Sequence, residues 1–232
     1  MAQKVILIHH GDSHRKDRAA DQLEQLGYDV QHFHLYSGDT LPAFDADVAG
    51  TVIYGGKYCI TDIPDMPFLQ DEIRWLERCM AAGLPVLGMC QGAQMIAHIL
   101  GAEVGPLDGE PCEFGYYELE TLDPAFMPEG LRVPQAHFHG FGLPDGATLL
   151  ARSAGFPNQA FRFGEKTYGF QFHPEVTKQM FQDWQDAPWT AAHTQRKGVQ
   201  SRAEQDALAD EAQIAVDPWF RDFLTKLFGP AS

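Results

Sequence analysis

The stretch from residue 83 to residue 101, GLPVLGMCQGAQMIAHILG, constrains the fold of this chain more than any other. The apolar run 84–89 reads as a short strand, Cys90 falls at a turn, and from Gln91 onward Ala93, Met95, Ile96, Ile99 and Leu100 recur at helical spacing. A thiol is thereby placed at a helix N-terminus, where free backbone N–H groups and the positive end of the helix dipole favour the thiolate. Gly88 and Gly92 flank the turn; glycine there tolerates a strained backbone and leaves space beside Cys90. Cysteine is also commonly buried and inert, so these residues alone leave both a nucleophile and a structural thiol open.

The rest of the first half supplies a setting for such a turn. Residues 4–10, KVILIHH, form an almost continuous apolar run with a polar end, the pattern of a buried parallel strand whose carboxyl end opens on a site. A surface helix is expected over 15–26, with Ala19, Ala20, Leu23 and Leu26 among charges and Gly27 as its stop. Strands are expected over 28–36 and 48–54, the second running into Gly55 and Gly56. An amphipathic helix over 68–80 carries Leu69, Ile73, Leu76 and Met80 on one stripe. The order β-α-β-β-α-β-α is mostly that of a doubly wound α/β sheet.

After Gly101 the pattern changes to short strand-like runs over 113–122, 137–139, 148–153, 159–163 and 167–172, separated by Gly, Pro and Asp. This predicts a smaller β-rich extension in the second half. Helices are expected over 177–184 and 219–228, the latter with Phe220, Phe223, Leu224 and Leu227 at helical spacing. Residues 185–213 are polar without a strong apolar stripe, and a lid, a surface helix and a mobile loop are all open there.

Composition removes several function classes. With 17 Lys+Arg against 32 Asp+Glu the formal charge is −15, which argues against a nucleic-acid or anionic-membrane partner. A length of 232 residues suits one large α/β domain and leaves little room for a second catalytic one. Cys59, Cys79, Cys90 and Cys112 lack the spacing of a zinc or redox motif and are too sparse for a disulfide scaffold, which points to a reducing cytoplasm. The apolar run 5–8 is too short for a signal-peptide core, and nothing later approaches the roughly 18 apolar residues of a membrane span. A soluble, cytoplasmic protein is expected.

A cysteine nucleophile needs a base, and the base needs a group to orient it. His173-Pro174-Glu175 offers both at the end of an aromatic strand, Tyr168 to Phe172, with a carboxylate two residues beyond the imidazole. Taken together, Gly88-Met89-Cys90-Gln91-Gly92-Ala93-Gln94 and Gln171-Phe172-His173-Pro174-Glu175, 83 positions apart from cysteine to histidine, resemble the two signatures of the class I (triad-type) glutamine amidotransferase family. Tyr54-Gly55-Gly56 resembles that family's oxyanion strand, and Glu113-Phe114-Gly115 and the 137–141 segment fall where comparable segments lie. More closely, the chain is similar to the free-standing, GMP-synthase-like members. Two departures stand out: Lys57 where many members have proline, and Gln91 where leucine or tyrosine is common.

The resemblance implies one flavodoxin-like domain over residues 1–232, with catalytic Cys90, His173 and Glu175 and an oxyanion hole at Gly56 and Gln91. Substrate contacts are implied at Gln94, His139, Gly140 and Phe141. The implied reaction is hydrolysis of the glutamine side-chain amide through a γ-glutamyl thioester, with no cofactor. Since no GxxxxGK[ST] phosphate loop occurs, a separate synthetase subunit would take up the ammonia. Cleavage of γ-glutamyl peptides by the same triad is the alternative; a thiol-based sensor or binding protein is a further one, against which the presence of His173 and Glu175 speaks. A metal site is not expected: His137 and His139 share a face at strand spacing, but no HExxH or comparable set completes them.

Overall fold

In the computed structural model, residues 3–11 and 16–231 are described. Along the chain run β1 (Lys4–His10), α1 (Arg18–Gln25), β2 (Asp29–Phe33), β3 (Val48–Gly56), α2 (Pro67–Ala81), β4 (Val86–Met89) and α3 (Gln91–Ile99). The second half contributes β5 (Val104–Pro106), β6 (Glu113–Glu118), β7 (Glu120–Thr121), β8 (Arg132–His137), β9 (His139–Phe141), β10 (Thr148–Arg152), β11 (Ala160–Phe163), β12 (Thr167–Phe170), α4 (Lys178–Asp186) and α5 (Arg202–Phe228).

Eight strands form the central sheet in the order β2-β1-β3-β4-β12-β11-β10-β7. The pairs from β2 to β12 are parallel and those beyond β12 are antiparallel. Successive strand residues point to opposite faces. In β1, Val5 and Leu7 join Leu23 of α1 and Phe220 and Leu224 of α5 in one core. Ile6 and Ile8 join Trp75 and Leu76 of α2 and Ala93 and Ile96 of α3 in the other. Helices on both faces explain why these strands read as continuous apolar runs. The β-rich extension consists of two antiparallel ribbons, β5 with β9 and β6 with β8. A third apolar cluster, with Phe114, Tyr116, Phe181 and Ala212, fastens the second ribbon to α4 and α5.

Four expectations change in detail. Arg15, the expected start of the first helix, lies outside the described residues; α1 begins at Arg18 and is capped by Asp17, whose Oδ1 accepts the Ala19 and Ala20 N–H groups. The second strand stops at Phe33, because the chain folds into a 3₁₀ turn at Leu35–Ser37 while Asp39 takes the His34 N–H at 2.7 Å. Residues 137–139 are not one strand: pairing breaks at Phe138, where the chain leaves β6 for β5 as its partner.

The largest change concerns residues 185–213. Their second half is the start of α5, opened by a reciprocal cap between Ser201 and Glu204. The buried residues Gln205, Ala209, Ala212, Gln213, Val216 and Phe220 do recur at helical spacing. As far as Gln213 these are small or polar, so they leave no apolar stripe to read.

Candidate active site

Since β3, β4 and β12 are adjacent and parallel, their carboxyl ends coincide, which is where open α/β sheets bind ligands. Phe170 stands opposite Met89 in the register, and the Cys90 N–H donates to the Phe170 carbonyl at 2.7 Å. Two segments far apart in sequence thus end side by side. Cys90 follows β4, His173 follows β12, and Gly55 and Gly56 end β3.

Cys90 has φ 50° and ψ −108°, a left-handed strained conformation for a residue with a side chain. Close packing enforces it. A Cβ on Gly88 would lie 2.5 Å from the Gly92 carbonyl carbon, and one on Gly92 would meet the Ile53 backbone within 2.9 Å. Helix α3 therefore rests directly on β3 and β4, and the chain must reverse within one residue. The reversal leaves Cys90 at the carboxyl end of β4, buried and only 7% exposed.

His173 and Glu175 are both buried, with Nδ1 of the imidazole donating to Glu175 Oε1 at 2.8 Å. A Cβ placed on Gly55 would lie 2.5 Å from His173 Cε1, 3.4 Å from its Nε2 and 3.1 Å from the Cβ of Cys90. Glycine at 55 is thus what lets thiol and imidazole meet. Burial disfavours charge on His173, but the Glu175 carboxylate and the hydrogen-bonded Cys90 sulfur outweigh it and raise its pKa to about 10. Trp184 of α4 closes one edge of the ring, with centroids 4.9 Å apart. Glu175→Gln is expected to lower the His173 pKa well below about 10, because burial is then opposed by Cys90 alone. An NMR titration of the imidazole checks this, and a pKa still near 10 would contradict the assignment.

The residues of the expected oxyanion hole are held by more than their own backbone. Gly56 is pressed between His10 and the Gln91 side chain, leaving no space for a Cβ. Gln91 Oε1 accepts the Tyr58 N–H at 3.0 Å, so its amide ties the turn after Gly56 to the first turn of α3. His10 adds a second tie, with Nδ1 3.1 Å from the Tyr54 carbonyl and Nε2 2.7 Å from Glu72 Oε2. The glutamine at position 91, a departure from the family pattern, has this bracing contact as its physical counterpart. Lys57 is exposed, its Nζ 5.5 Å from the Tyr58 ring centroid.

Of the expected substrate contacts, Gln94 sits one turn into α3 and donates from Nε2 to the His139 carbonyl at 3.3 Å and to Gln171 Oε1 at 3.2 Å. His139 is half-buried next to it, and burial, then Arg196, lowers its pKa. Gly140 lies against Phe156. The Phe141 ring packs on Phe161 in the core, and its carbonyl accepts from Asn158 Nδ2 at 2.8 Å. His137 uses both ring nitrogens internally, on Glu113 Oε2 and the His139 carbonyl, each at 3.0 Å. Among the described residues, no group of three or more His, Cys, Asp or Glu is arranged to hold a metal ion, and no helix is long and apolar enough to cross a membrane.

Several contributors carry no local signal. Arg18 donates from Nη1 to the Pro174 carbonyl at 3.1 Å and to the Val176 carbonyl at 2.5 Å, and is itself held by Asp217 and Gln213 of α5. Helices α1 and α5 together clamp the loop that carries His173 and Glu175. Only the assembled fold reveals this, because the partners are 156 to 199 positions away from Arg18 in the chain.

A strained thiol, a buried imidazole inclined to hold a proton, and a carboxylate orienting it form an arrangement suited to acyl transfer through sulfur. A glutamine-hydrolysing GMP synthase from Porphyromonas gingivalis is 30% identical over 181 residues, which make up 76% of this chain and 34% of that protein. The chain thus spans about a third of the length of that relative. A crystal structure of a glutamine amidotransferase from Thermotoga maritima matches with a TM-score of 0.87 at 25% identity, covering 99% of both chains. One of a glutamine amido transferase from Methylobacillus flagellatus matches with a TM-score of 0.90 at 22% identity, covering 100% of this chain and 96% of that one, and speaks for the fold alone. Residues 7–183 match the family model for class I glutamine amidotransferases; as that span runs from β1 into α4 and holds the Cys90 elbow and the His173 loop, the chain belongs to this family.

Proposed function

We propose that this chain hydrolyses the side-chain amide of glutamine to glutamate and ammonia through a γ-glutamyl thioester on Cys90. The observation that carries this reading is the convergence of Cys90, His173 and Glu175 at the carboxyl ends of β4 and β12, with a histidine that favours its protonated form. His173 takes the Cys90 proton, and the sulfur attacks the amide carbon. The N–H groups of Gly56 and Gln91 stabilise the oxyanion. His173 returns the proton to the departing nitrogen, ammonia leaves, and the C–S bond remains. Water then gives a proton to His173 and attacks the thioester; the sulfur departs, is reprotonated, and glutamate is released. Gln94, His139, Gly140 and the Phe141 backbone line the substrate side.

A separate synthetase would consume the ammonia, in keeping with the likeness to GMP synthases that are about three times as long as the matched part. The four unpaired cysteines suit a reducing, cytoplasmic setting. Glutamate release from L-glutamine and from a panel of γ-glutamyl dipeptides is the direct test. Turnover of glutamine in excess of the dipeptides is the expected result. Faster cleavage of dipeptides would replace ammonia delivery by γ-glutamyl peptide hydrolysis, and release from neither, with or without a synthetase, would refute the amidase reading.

A further inference from the structure

Behind the triad lies a second set of polar groups that the reaction above does not use. Asp17 Oδ2, Tyr54 Oη and Glu175 Oε2 are all buried and, among the described residues, without a hydrogen-bond partner. They belong to three different elements brought to one place. Asp17 caps α1 with its other oxygen, Tyr54 stands two residues before Gly56 in β3, and Glu175 uses its other oxygen on His173. The Arg18 N–H donates to the Glu175 carbonyl at 3.2 Å, which fixes the start of α1 against the triad loop. Asp17, Tyr54 and Glu175 interact electrostatically with one another, and the Tyr54 hydroxyl is near enough to stabilise the Asp17 carboxylate.

We propose that Asp17, together with Tyr54, is a positioning residue of the triad: when ionised it places a second negative charge behind Glu175 and favours the imidazolium–thiolate form of the His173–Cys90 pair. This rests on the reading of Cys90, His173 and Glu175 as a triad. Burial raises the Asp17 pKa to about 7, with Glu175 adding to the rise and the Tyr54 hydroxyl and the Ala19 and Ala20 amides opposing it. Its charge therefore changes near neutral pH. Of the charged groups, Glu175 acts on Asp17 directly, while Arg18, paired with Asp217, and His173 act on Glu175. His9 of β1 stacks on the Tyr54 ring at 4.2 Å and is kept neutral across this range, its pKa lowered to about 3 by burial and by His32.

Alkylation of Cys90 by iodoacetamide from pH 5.5 to 9, read by mass spectrometry of the Cys90 peptide, tests this without requiring turnover. The wild-type rate is expected to rise through an inflection near pH 7 as Asp17 ionises. In Asp17→Asn that inflection is expected to vanish, leaving the rate at pH 8.5 about fivefold or more below wild type. Asparagine caps helices as well as aspartate does, so the start of α1 is retained, and a thermal melt verifies it. In Tyr54→Phe the carboxylate loses the nearby hydroxyl that stabilises its charge, and the inflection is expected to move to higher pH. A merely structural role for either residue would not shift the inflection. An unchanged inflection in either variant would overturn the proposal. Absence of glutamate release by the wild type, with the inflection and its shifts intact, would refute the proposed reaction and leave this inference standing.

Discussion

Cys90→Ala is expected to reduce glutamate release to background, a loss of about 10⁴-fold or more, because the proposed acyl intermediate forms on its sulfur. The fold is expected to survive. Cys90 lies at the carboxyl end of β4, and removal of its thiol opens no cavity in either core. Cys90→Gly sharpens the result, because φ 50° with ψ −108° is a strained backbone for any side chain. Relief of that strain, about 1–3 kcal/mol, is expected to raise the glycine variant's melting temperature above that of Cys90→Ala while both remain inactive. Ordinary turnover by either variant would refute the nucleophile assignment. A glycine variant that melts below the alanine one would show that the elbow stores no strain.

Gly92→Ala is expected to be the most damaging single-methyl addition near the site. Its Cβ would come within 2.7 Å of Ile53 Cγ2 and 2.9 Å of the Ile53 carbonyl carbon, and closer still to the carbonyl oxygen. The backbone of β3 cannot yield easily, since it is paired to β1 on one side and β4 on the other. A cost of about 3 kcal/mol or more follows. At about 2–4 °C per kcal/mol for a chain of this size, the melting temperature should fall by roughly 10 °C. Gly105→Ala is the control, since nothing lies within 4 Å of a Cβ there. Equal melting temperatures for the two variants would mean that α3 does not rest on β3 as closely as described.

Legibility of this fold follows the range of the interactions that decide each part. Residues 4–10 were readable as β1 because both faces of that strand are covered, so Val5 to Ile8 at its centre are all apolar. Helix α2 was readable from its stripe, with the observed Pro67–Ala81 extending the expected 68–80 by one residue at each end. The first part of α5 was not, because its inward face carries Gln205, Ala209, Ala212 and Gln213. Gln213 and Gln205 face inward because each has a specific polar partner there, Arg18 and the Phe114 carbonyl among them. A hydropathy pattern records the need to leave water and is silent about a polar group that finds its partner in the interior.

By itself the sequence determined the elements whose information is local: the strand, strained turn and helix around Cys90, the adjacency of His173 and Glu175, and the apolar strands of a doubly wound sheet. Short-range sterics and periodicity suffice for these. Only the tertiary structure decided that β12 lies beside β4 and so brings His173 to Cys90, that Gly55 is the position over which they meet, and that α1 and α5 clamp the loop of His173 and Glu175 through Arg18. It also decided the charge preference of His173, since burial and two neighbours from different elements set that balance. The physical reason is common to all of these. A pairing between distant strands, and the electrostatics of a buried group, depend on what the folded chain places nearby, and no local window of sequence contains both partners.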